Sequence, residues 1–238
     1  VAHVDHGKTT LVDELLKESE KKDAHEVIAE RVMDSGDLER ERGITILAKN
    51  TAIEYKNVKI NILDTPGHAD FGGEVERIMK MVDAVCLVVD AFEGVMPQTK
   101  FVLNKAVQEG LKPIVVINKI DRTFSRPKEV LDEVYELFMD LGATEDQLDF
   151  PILYASGIQG KASYTADLSK TTNMVPLLDT IIKHVKRPDG DPNGKFQFQP
   201  ALFDYNEYVG RIGIGKIARG KVSQNQTVSV IRLDGKIE

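Results

Sequence analysis

The chain has 238 residues, of which 42% are hydrophobic and 29% are charged. This composition is typical of a globular protein and excludes a disordered or collagen-like chain. The net charge of −7 argues against binding nucleic acid through the whole surface. Residues 211–221 carry four basic side chains and no acid, and we interpret them as a solvated strand face rather than an RNA contact.

Cysteine content and hydropathy bear on the cellular compartment. The single cysteine, Cys86, excludes an intramolecular disulfide framework and is typical of a reducing compartment. The sequence shows no secretory signal and no apolar stretch of membrane-spanning length. We therefore expect a cytoplasmic protein that does not bind membranes.

Residues 2–10 (AHVDHGKTT) predict a phosphate-binding loop. In such a loop, successive backbone N–H groups and the N-terminus of a helix bind an anion. Lys8 would neutralise the β- and γ-phosphates, and the Thr9 hydroxyl would bind Mg²⁺. Ala2 stands where the strict pattern has its first glycine, and the alternative is a helix start without a ligand. The residues expected to contact the nucleotide here are Asp5, His6, Gly7, Lys8, Thr9 and Thr10.

The next elements are a helix, a charged segment and a hairpin. Leu11, Leu15 and Leu16 lie at helical spacing, and residues 17–42 are polar and charged, as in a functional or mobile loop. Residues 51–55 and 58–63 predict a hairpin, which ends in Asp64 and the sequence Thr-Pro-Gly-His. An acid at the carboxyl end of a strand suits a Mg²⁺-associated carboxylate, with a buried capping aspartate as the alternative.

Strands and helices alternate in the rest of the first part of the chain. This alternation predicts an α/β fold with a doubly wound, mostly parallel sheet, in which ligands bind at the carboxyl ends of the strands. Only Val1 remains of the strand expected before the phosphate loop. The predicted strands are 84–89, 113–117 and 152–154, and the predicted helices are one closed by Met79 and Val82, then 97–107, 130–141 and 175–185.

The composition changes after Arg187, where residues 188–195 are rich in turn formers and predict a linker. We expect a first domain at 1–187, which contains the predicted phosphate-binding loop, and the start of an antiparallel β-barrel at 196–238. The predicted barrel strands are 201–204, 208–218 and 227–233. These residues are too few to close a barrel, so we expect a truncated one.

Asn118, Lys119, Ile120 and Asp121 follow a buried strand and suit the recognition of guanine. The Asp121 carboxylate can accept hydrogen bonds from guanine N1 and N2, whereas adenine offers the wrong donors. Lys119 can lay its methylenes on the ring, and Asn118 would tie this loop to the phosphate loop. The backbone N–H groups of Ser156 and Gly157 could bind the guanine O6.

Taken in this order, the motifs resemble those of the translational GTPases, which include elongation factors G and Tu, and most closely the BipA/TypA branch. The resemblance covers the whole chain, and residues 47–51 favour that branch. Gly157 stands where the family usually has alanine. The residues that carry the resemblance are 2–10, 32–46, 64–68, 88–94, 96–99, 118–121 and 204–210.

The resemblance implies hydrolysis of GTP to GDP and phosphate with Mg²⁺. Thr9 and Asp64 would hold the metal, joined by Thr45 when the γ-phosphate is present. Gly67 would contact the nucleotide, and His68, which follows it, would position the attacking water. Residues before Thr45 would form switch one, disordered in part in a GDP-bound or empty form, and residues 64–81 would form switch two.

The family also implies a cytoplasmic monomer that binds the ribosome, supports large-subunit assembly and acts in stress or cold adaptation. Slow basal turnover and stimulation by the ribosome are expected. Three alternatives stay open: another translational factor of the elongation factor 4 or G type, a nucleotide-dependent binding module with incidental hydrolysis, and a catalytically inactive interaction domain. The last is disfavoured because no expected catalytic side chain is substituted. His3, His6, His25 and His184 lack metal-site spacing, so no zinc site is predicted.

Overall fold

The computed structural model describes residues 1–20, 49–65 and 72–237. The chain forms two compact units, Val1–Arg187 and Pro188–Glu238. Thr45, Gly67, His68 and most of the predicted switch-one segment lie outside the described residues, so their predicted roles and the predicted disorder stay predictions.

The first unit contains all the helices described and six of the strands. The helices are α1 (Lys8–Glu20), α2 (Gly72–Met79), α3 (Pro97–Gln108), α4 (Pro127–Asp140), α5 (Glu145–Leu148) and α6 (Val175–His184). The strands are β1 (Lys49–Tyr55), β2 (Val58–Asp64), β3 (Ala84–Asp90), β4 (Lys112–Asn118), β5 (Ile152–Ser156) and β6 (Lys161–Ser163). None of the described helices has both the length and the apolar character needed to cross a membrane.

The central sheet has the strand order β3-β4-β5-β6. Strands β3, β4 and β5 are parallel, and β6 runs antiparallel to β5. Ala2 pairs in parallel with Val88, so the chain enters the phosphate loop beside β3, where the first strand was expected. The predicted mostly parallel sheet is therefore confirmed. Strand β6 was not predicted, because three residues are too few to show an alternating pattern.

Helices cover both faces of this sheet. Side chains along a strand point alternately to opposite faces. Val88 and Val116 pack into a core with α1 and α6, whereas Leu87 and Val115 pack on the other face with α3 and α4. The predicted inward residues of α1 and α6 lie in the first core, with Leu11, Leu15, Leu16, Leu177 and Leu178 buried and Ile181 and Ile182 partly buried.

Strands β1 and β2 form the predicted hairpin, a separate two-stranded antiparallel sheet. Lys56 and Asn57 at its turn both have positive φ, at 50° and 61°, as a type I′ turn requires. The Tyr55 hydroxyl donates to Asp179 of α6 over 3.0 Å, and the Lys56 ammonium lies 2.6 Å from the same carboxylate. These contacts anchor the hairpin to α6, and its register places Asp64 at the end of β2.

One predicted helix ends earlier than expected, and two short elements were not predicted. Helix α2 ends at Met79, so Val82 follows it in the connection to β3 and packs beside it rather than within it. Helix α5 and a 3₁₀ turn at Leu168–Lys170 were not predicted. Both are single turns, which carry too few residues to show helical periodicity.

The second unit contains the antiparallel strands β7 (Gln197–Asn206) and β8 (Gly210–Arg219). The third predicted strand, 227–233, is wrong. These residues form no strand, and Ile231 makes only an isolated bridge to Ile237. Their alternating sequence suits a strand, but a strand also needs a neighbour for its backbone N–H and C=O groups, and the described part of this unit supplies none.

Replacing Phe138 tests the core between the sheet and α4. Phe138 is fully buried, and its ring centroid lies 5.0 Å from that of Phe150. We expect Phe138→Ala to lower the free energy of unfolding by about 3–5 kcal/mol, because it removes buried contacts and leaves a cavity. The measurement is urea denaturation, with Met139→Ala as the control. Met139 is 58% exposed on the same helix, and a loss there equal to that at Phe138 would contradict this description of the core.

Candidate functional site

The phosphate loop turns sharply before α1. Asp5 and Gly7 have positive φ, at 63° and 85°, and the Leu11 N–H donates to the Gly7 carbonyl over 3.0 Å as the helix begins. A Cβ added at Gly7 would lie only 2.5 Å from Asn118 Nδ2. Glycine is therefore required here both by the backbone conformation and by the close approach of a neighbouring loop. The result is a loop at a helix N-terminus, which favours an anion.

Lys8, Thr9 and Asp64 form a polar cluster in which Lys8 and Asp64 are buried. The Lys8 Nζ lies 2.6 Å from Asp64 Oδ1, and the Thr9 hydroxyl donates to Asp64 Oδ2 over 3.0 Å. Asp64 is 1% exposed, so the Lys8 ammonium supplies the positive charge that a buried carboxylate needs. The predicted phosphate-loop lysine and the predicted strand-end acid therefore meet.

A hydroxyl and a carboxylate are hard oxygen donors, the kind that Mg²⁺ prefers. Thr9 and Asp64 are within hydrogen-bond distance of each other and fit this metal. In the described part of the chain, no three His, Cys, Asp or Glu side chains cluster as a metal site of their own.

Asn118 connects three loops through one buried side chain. Its Nδ2 donates to the His6 carbonyl over 2.9 Å, which confirms the predicted tie to the phosphate loop. Its Oδ1 accepts from the Gly157 N–H over 3.1 Å. The Gly157 N–H, expected to bind a base oxygen, therefore has a different acceptor in this structure. An added Cβ at Gly157 would lie 3.5 Å from Thr10 Cγ2, an ordinary contact, so the loop has room for the alanine usual in the family.

The predicted base-reading residues lie at the carboxyl ends of β4 and β5. Lys119 has a positive φ of 61°, and its ammonium donates to the Asp5 carbonyl. The Ile120 N–H donates to the Ala155 carbonyl over 3.3 Å, which holds this loop against the end of β5. Ser156 is buried, and its hydroxyl accepts from the Gln159 N–H over 3.3 Å. The contact between Ile120 and Ala155 brings the loop that follows β4 against the loop that follows β5.

Asp121 differs from its neighbours because it is exposed to solvent. Within the described ranges, its carboxylate has no hydrogen bond and no ion pair. It is thus available to a ligand, as a carboxylate that accepts two N–H bonds from a base must be.

Sequence reasoning missed Asp90, the last residue of β3. Its carboxylate is buried, lies 2.9 Å from the Lys119 ammonium and 3.2 Å from Arg122 Nη1, and accepts from the Phe92 N–H over 2.8 Å. Burial alone would raise the pKa of Asp90, but these cations and the Phe92 N–H outweigh it and hold the pKa below its usual value. The sequence did carry one signal, because Asp90 directly follows the predicted strand 84–89, the same kind of position that was considered for Asp64.

His6 is also fully buried, and its ring supports the loop after β3. Its Nδ1 accepts from the Asp90 N–H over 3.3 Å, and its Nε2 lies 3.2 Å from Glu93 Oε2. Burial lowers the pKa of His6, and nearby His3 lowers it further, while Glu93 and Asp90 raise it in part. With its ring so engaged, His6 offers a ligand only its backbone.

The sequence pattern of the elongation factor Tu GTP binding domain matches residues 1–187, the unit that contains this phosphate loop and this base-reading edge. The chain belongs to this family.

Related proteins agree with that assignment. The chain is 63% identical over 235 residues to the large ribosomal subunit assembly factor BipA of Bacillus subtilis, and 60% identical over 236 residues to that of Escherichia coli K12. These matches cover 99% of this chain but only 38% and 39% of those proteins. A crystal structure of a bacterial selenocysteine-specific elongation factor, EF-Sec, has the same fold, with a TM-score of 0.69 and 22% identity over 99% of this chain and 36% of that one.

Within this GTP-binding domain, the described site residues fall into two groups. The predicted phosphate side contains residues 5–10 and Asp64, and the predicted base side contains residues 118–121, 156 and 157. Asn118 joins the two sides through the His6 carbonyl.

The buried His6 ring predicts a pH dependence of stability. Because the folded-state pKa lies below the unfolded one, folding releases a proton when the pH is below about 6.5, the usual histidine pKa. The contribution of His6 to the free energy of unfolding is therefore greatest above that pH. It decreases as the pH falls, by at most about 1.4 kcal/mol per pH unit.

The check is urea denaturation at pH 7.5 and 5.5. We expect wild type to lose stability relative to His6→Asn at the lower pH, because asparagine can accept the Asp90 N–H but does not titrate. His184→Asn, at an exposed position, serves as the control substitution. A wild-type advantage that grows on acidification would contradict the inferred direction.

Proposed function

We propose that this chain binds and hydrolyses GTP as the GTP-binding part of a ribosome-associated translational GTPase of the BipA/TypA type. The observation that carries the proposal is the Asn118 side chain, which holds a phosphate loop and a base-reading loop in one arrangement. A site with both halves suits a purine nucleotide rather than phosphate alone.

On the phosphate side, Lys8 would exchange Asp64 for oxygens of the β- and γ-phosphates, and the amides at the start of α1 would bind the remaining phosphate oxygens. Thr9, Asp64 and Thr45 would hold Mg²⁺. When bound, this ion neutralises negative charge on the phosphates during transfer. The short distances between Lys8, Thr9 and Asp64 support these roles.

On the base side, Asp121 would accept two hydrogen bonds from guanine, which adenine cannot provide. Lys119 would lay its methylenes on one face of the ring. Ser156 and Gly157 would complete the pocket near the guanine O6, with Ile120 packed beneath the loop. The exposed carboxylate of Asp121 and the fixed ammonium of Lys119 support this assignment.

For hydrolysis, His68 would position the attacking water, following Gly67 in the Asp-Thr-Pro-Gly-His sequence. A misplacement of the reacting groups by about 1 Å can cost about 100-fold in rate. We infer slow basal turnover and stimulation when a large partner orders this region. This mechanism uses no covalent enzyme intermediate.

The ribosome is the proposed partner, since the two relatives described above are named large ribosomal subunit assembly factors. The chain spans 38% of the length of the Bacillus subtilis relative, so the partner and the stress or cold role belong to the proposal for the whole protein. We propose a cytoplasmic monomer with a GTP-binding domain at 1–187, a linker at 188–195 and the beginning of a β-barrel at 196–238. The identity to BipA favours this role over that of elongation factor 4 or G.

Nucleotide competition tests the proposed binding site. Fluorescent GDP bound to the chain should be displaced by GTP and not by ATP. Asp121→Asn should weaken GDP binding about 100-fold, because two hydrogen bonds to a charged acceptor are lost, and should shift preference toward xanthosine diphosphate. Asp132→Asn, at an exposed position on α4, serves as the control and should bind GDP as wild type does. Equal displacement by ATP would refute the guanine assignment.

Single-turnover hydrolysis tests the proposed activity. The chain can be joined to the remaining part of the Bacillus subtilis relative and assayed with and without ribosomes. We expect ribosomes to accelerate hydrolysis, and His68→Ala to reduce the accelerated rate about 100-fold while GDP affinity is kept. Acceleration that survives His68→Ala would remove His68 from the mechanism. Nucleotide-dependent ribosome binding without accelerated hydrolysis would favour a binding module instead.

A further inference from the structure

We propose that Asp90 is a positioning residue for nucleotide binding, whose buried carboxylate fixes the Lys119 side chain for contact with the base. The inference rests on the proposed function, because it assigns a purpose to a group in the same site. Its evidence comes from four features of the structure: the burial of Asp90, the two contacts of Lys119, the exposure of Arg122 and the backbone bonds at the end of β3.

The first feature is that Asp90 is 0% exposed at the carboxyl end of β3. A carboxylate removed from water requires cations or N–H donors. Asp90 has the Phe92 N–H at 2.8 Å, which fixes one oxygen, and the Lys119 ammonium at 2.9 Å from the other. The carboxylate is therefore oriented before any ligand binds.

The second feature is that Lys119 is held at two points. Its ammonium contacts both the Asp90 carboxylate and the Asp5 carbonyl, and its side chain is only 13% exposed. A free lysine side chain samples many rotamers, and a ligand that needs one of them must restrict the others. Since Asp90 already restricts them, the stem of Lys119 is arranged for binding in advance.

The third feature is the exposure of Arg122, the other cation that pairs with Asp90, which differs in this respect from Lys119. The Arg122 side chain is 46% exposed, and its Nη1 lies 3.2 Å from the same Asp90 oxygen. Exposed ion pairs contribute little, because water screens them. The positioning effect of Asp90 therefore acts through Lys119, and Arg122→Ala should change nucleotide affinity less than twofold.

The fourth feature is that the backbone around Asp90 bonds to both sides of the site. The Asp90 N–H donates to His6 Nδ1 over 3.3 Å, and the Ala91 N–H donates to the Asn118 carbonyl over 2.8 Å. The end of β3 thus supports the phosphate loop and the base-reading loop at once. Substitution of the Asp90 side chain leaves these backbone bonds in place.

This role has a specific consequence for binding. Lysine methylenes cover the face of a base, whereas Asp121 reads its edge. Loss of the Asp90 charge should therefore weaken binding of guanosine and inosine diphosphates by the same factor. A residue that read the base edge would instead change their ratio.

The test is a double-mutant cycle on GDP affinity and dissociation rate in the 238-residue chain. Asp90→Asn keeps the size and the acceptor for Phe92 but removes the charge. Lys119→Met keeps an apolar stem but removes the ammonium. Each should weaken GDP binding about tenfold, mainly through faster dissociation, and the double variant should be no more than twofold weaker than Lys119→Met alone.

Asp146→Asn is the matched control, because it also removes an aspartate paired with a lysine, at 3.5 Å from Lys112, and it lies on α5, which supplies no residue of the site. It should leave GDP affinity unchanged. Thermal melting of each free variant reports folding, and Lys119→Met provides the test alone if Asp90→Asn does not fold.

Equal fold-losses for Asp90→Asn in the wild-type and Lys119→Met backgrounds would overturn the inference, as would a changed ratio of guanosine to inosine diphosphate affinity. Wild-type affinity in Lys119→Met would also overturn it. Failure of the wild-type chain to bind GDP would instead refute the proposed function, and the inference with it.

Discussion

The site depends on one amide group. Asn118 uses its nitrogen for the carbonyl of His6 and its oxygen for the N–H of Gly157, so a single buried side chain connects loops separated by more than a hundred residues of sequence. A buried amide with an unpaired end is costly, and both ends here are paired within the protein. Asn118 can make both hydrogen bonds only when the two loops are in place. The phosphate side and the base side are therefore fixed relative to each other.

The parallel sheet explains why the Asn118 side chain lies within reach of both the phosphate loop and the loop that contains Gly157. Strands β3, β4 and β5 run in the same direction, so their carboxyl ends and the loops that follow them lie along one edge. Apolar side chains on both faces of β3 and β4 hold these strands in the interior and leave only their ends to carry polar groups. Asp90, Asn118 and Ser156 are the last residues of the three strands, and all three are buried.

Short sequence motifs were enough to predict the residues whose roles depend on their immediate neighbours in the chain. Gly7, Lys8 and Asn118 were identified because each belongs to a short motif, and the structure brings them together. Asp90 was missed because its partners, Lys119 and Arg122, follow it only after another helix and strand, and no spacing rule joins them. The expected strand at 227–233 failed because strand formation depends on a neighbour as well as on alternation.

The ion pair between Lys8 and Asp64 has a consequence for which anions the loop can accept. Each group is the counter-charge of the other, so an incoming phosphate competes with a carboxylate that already lies 2.6 Å from the ammonium. An anion that takes Lys8 alone leaves Asp64 buried and without a cation, an arrangement that costs free energy. If the loop binds phosphate as proposed, this carboxylate would compete with the phosphate for Lys8, which would discriminate against bare phosphate and favour a ligand that brings a cation of its own.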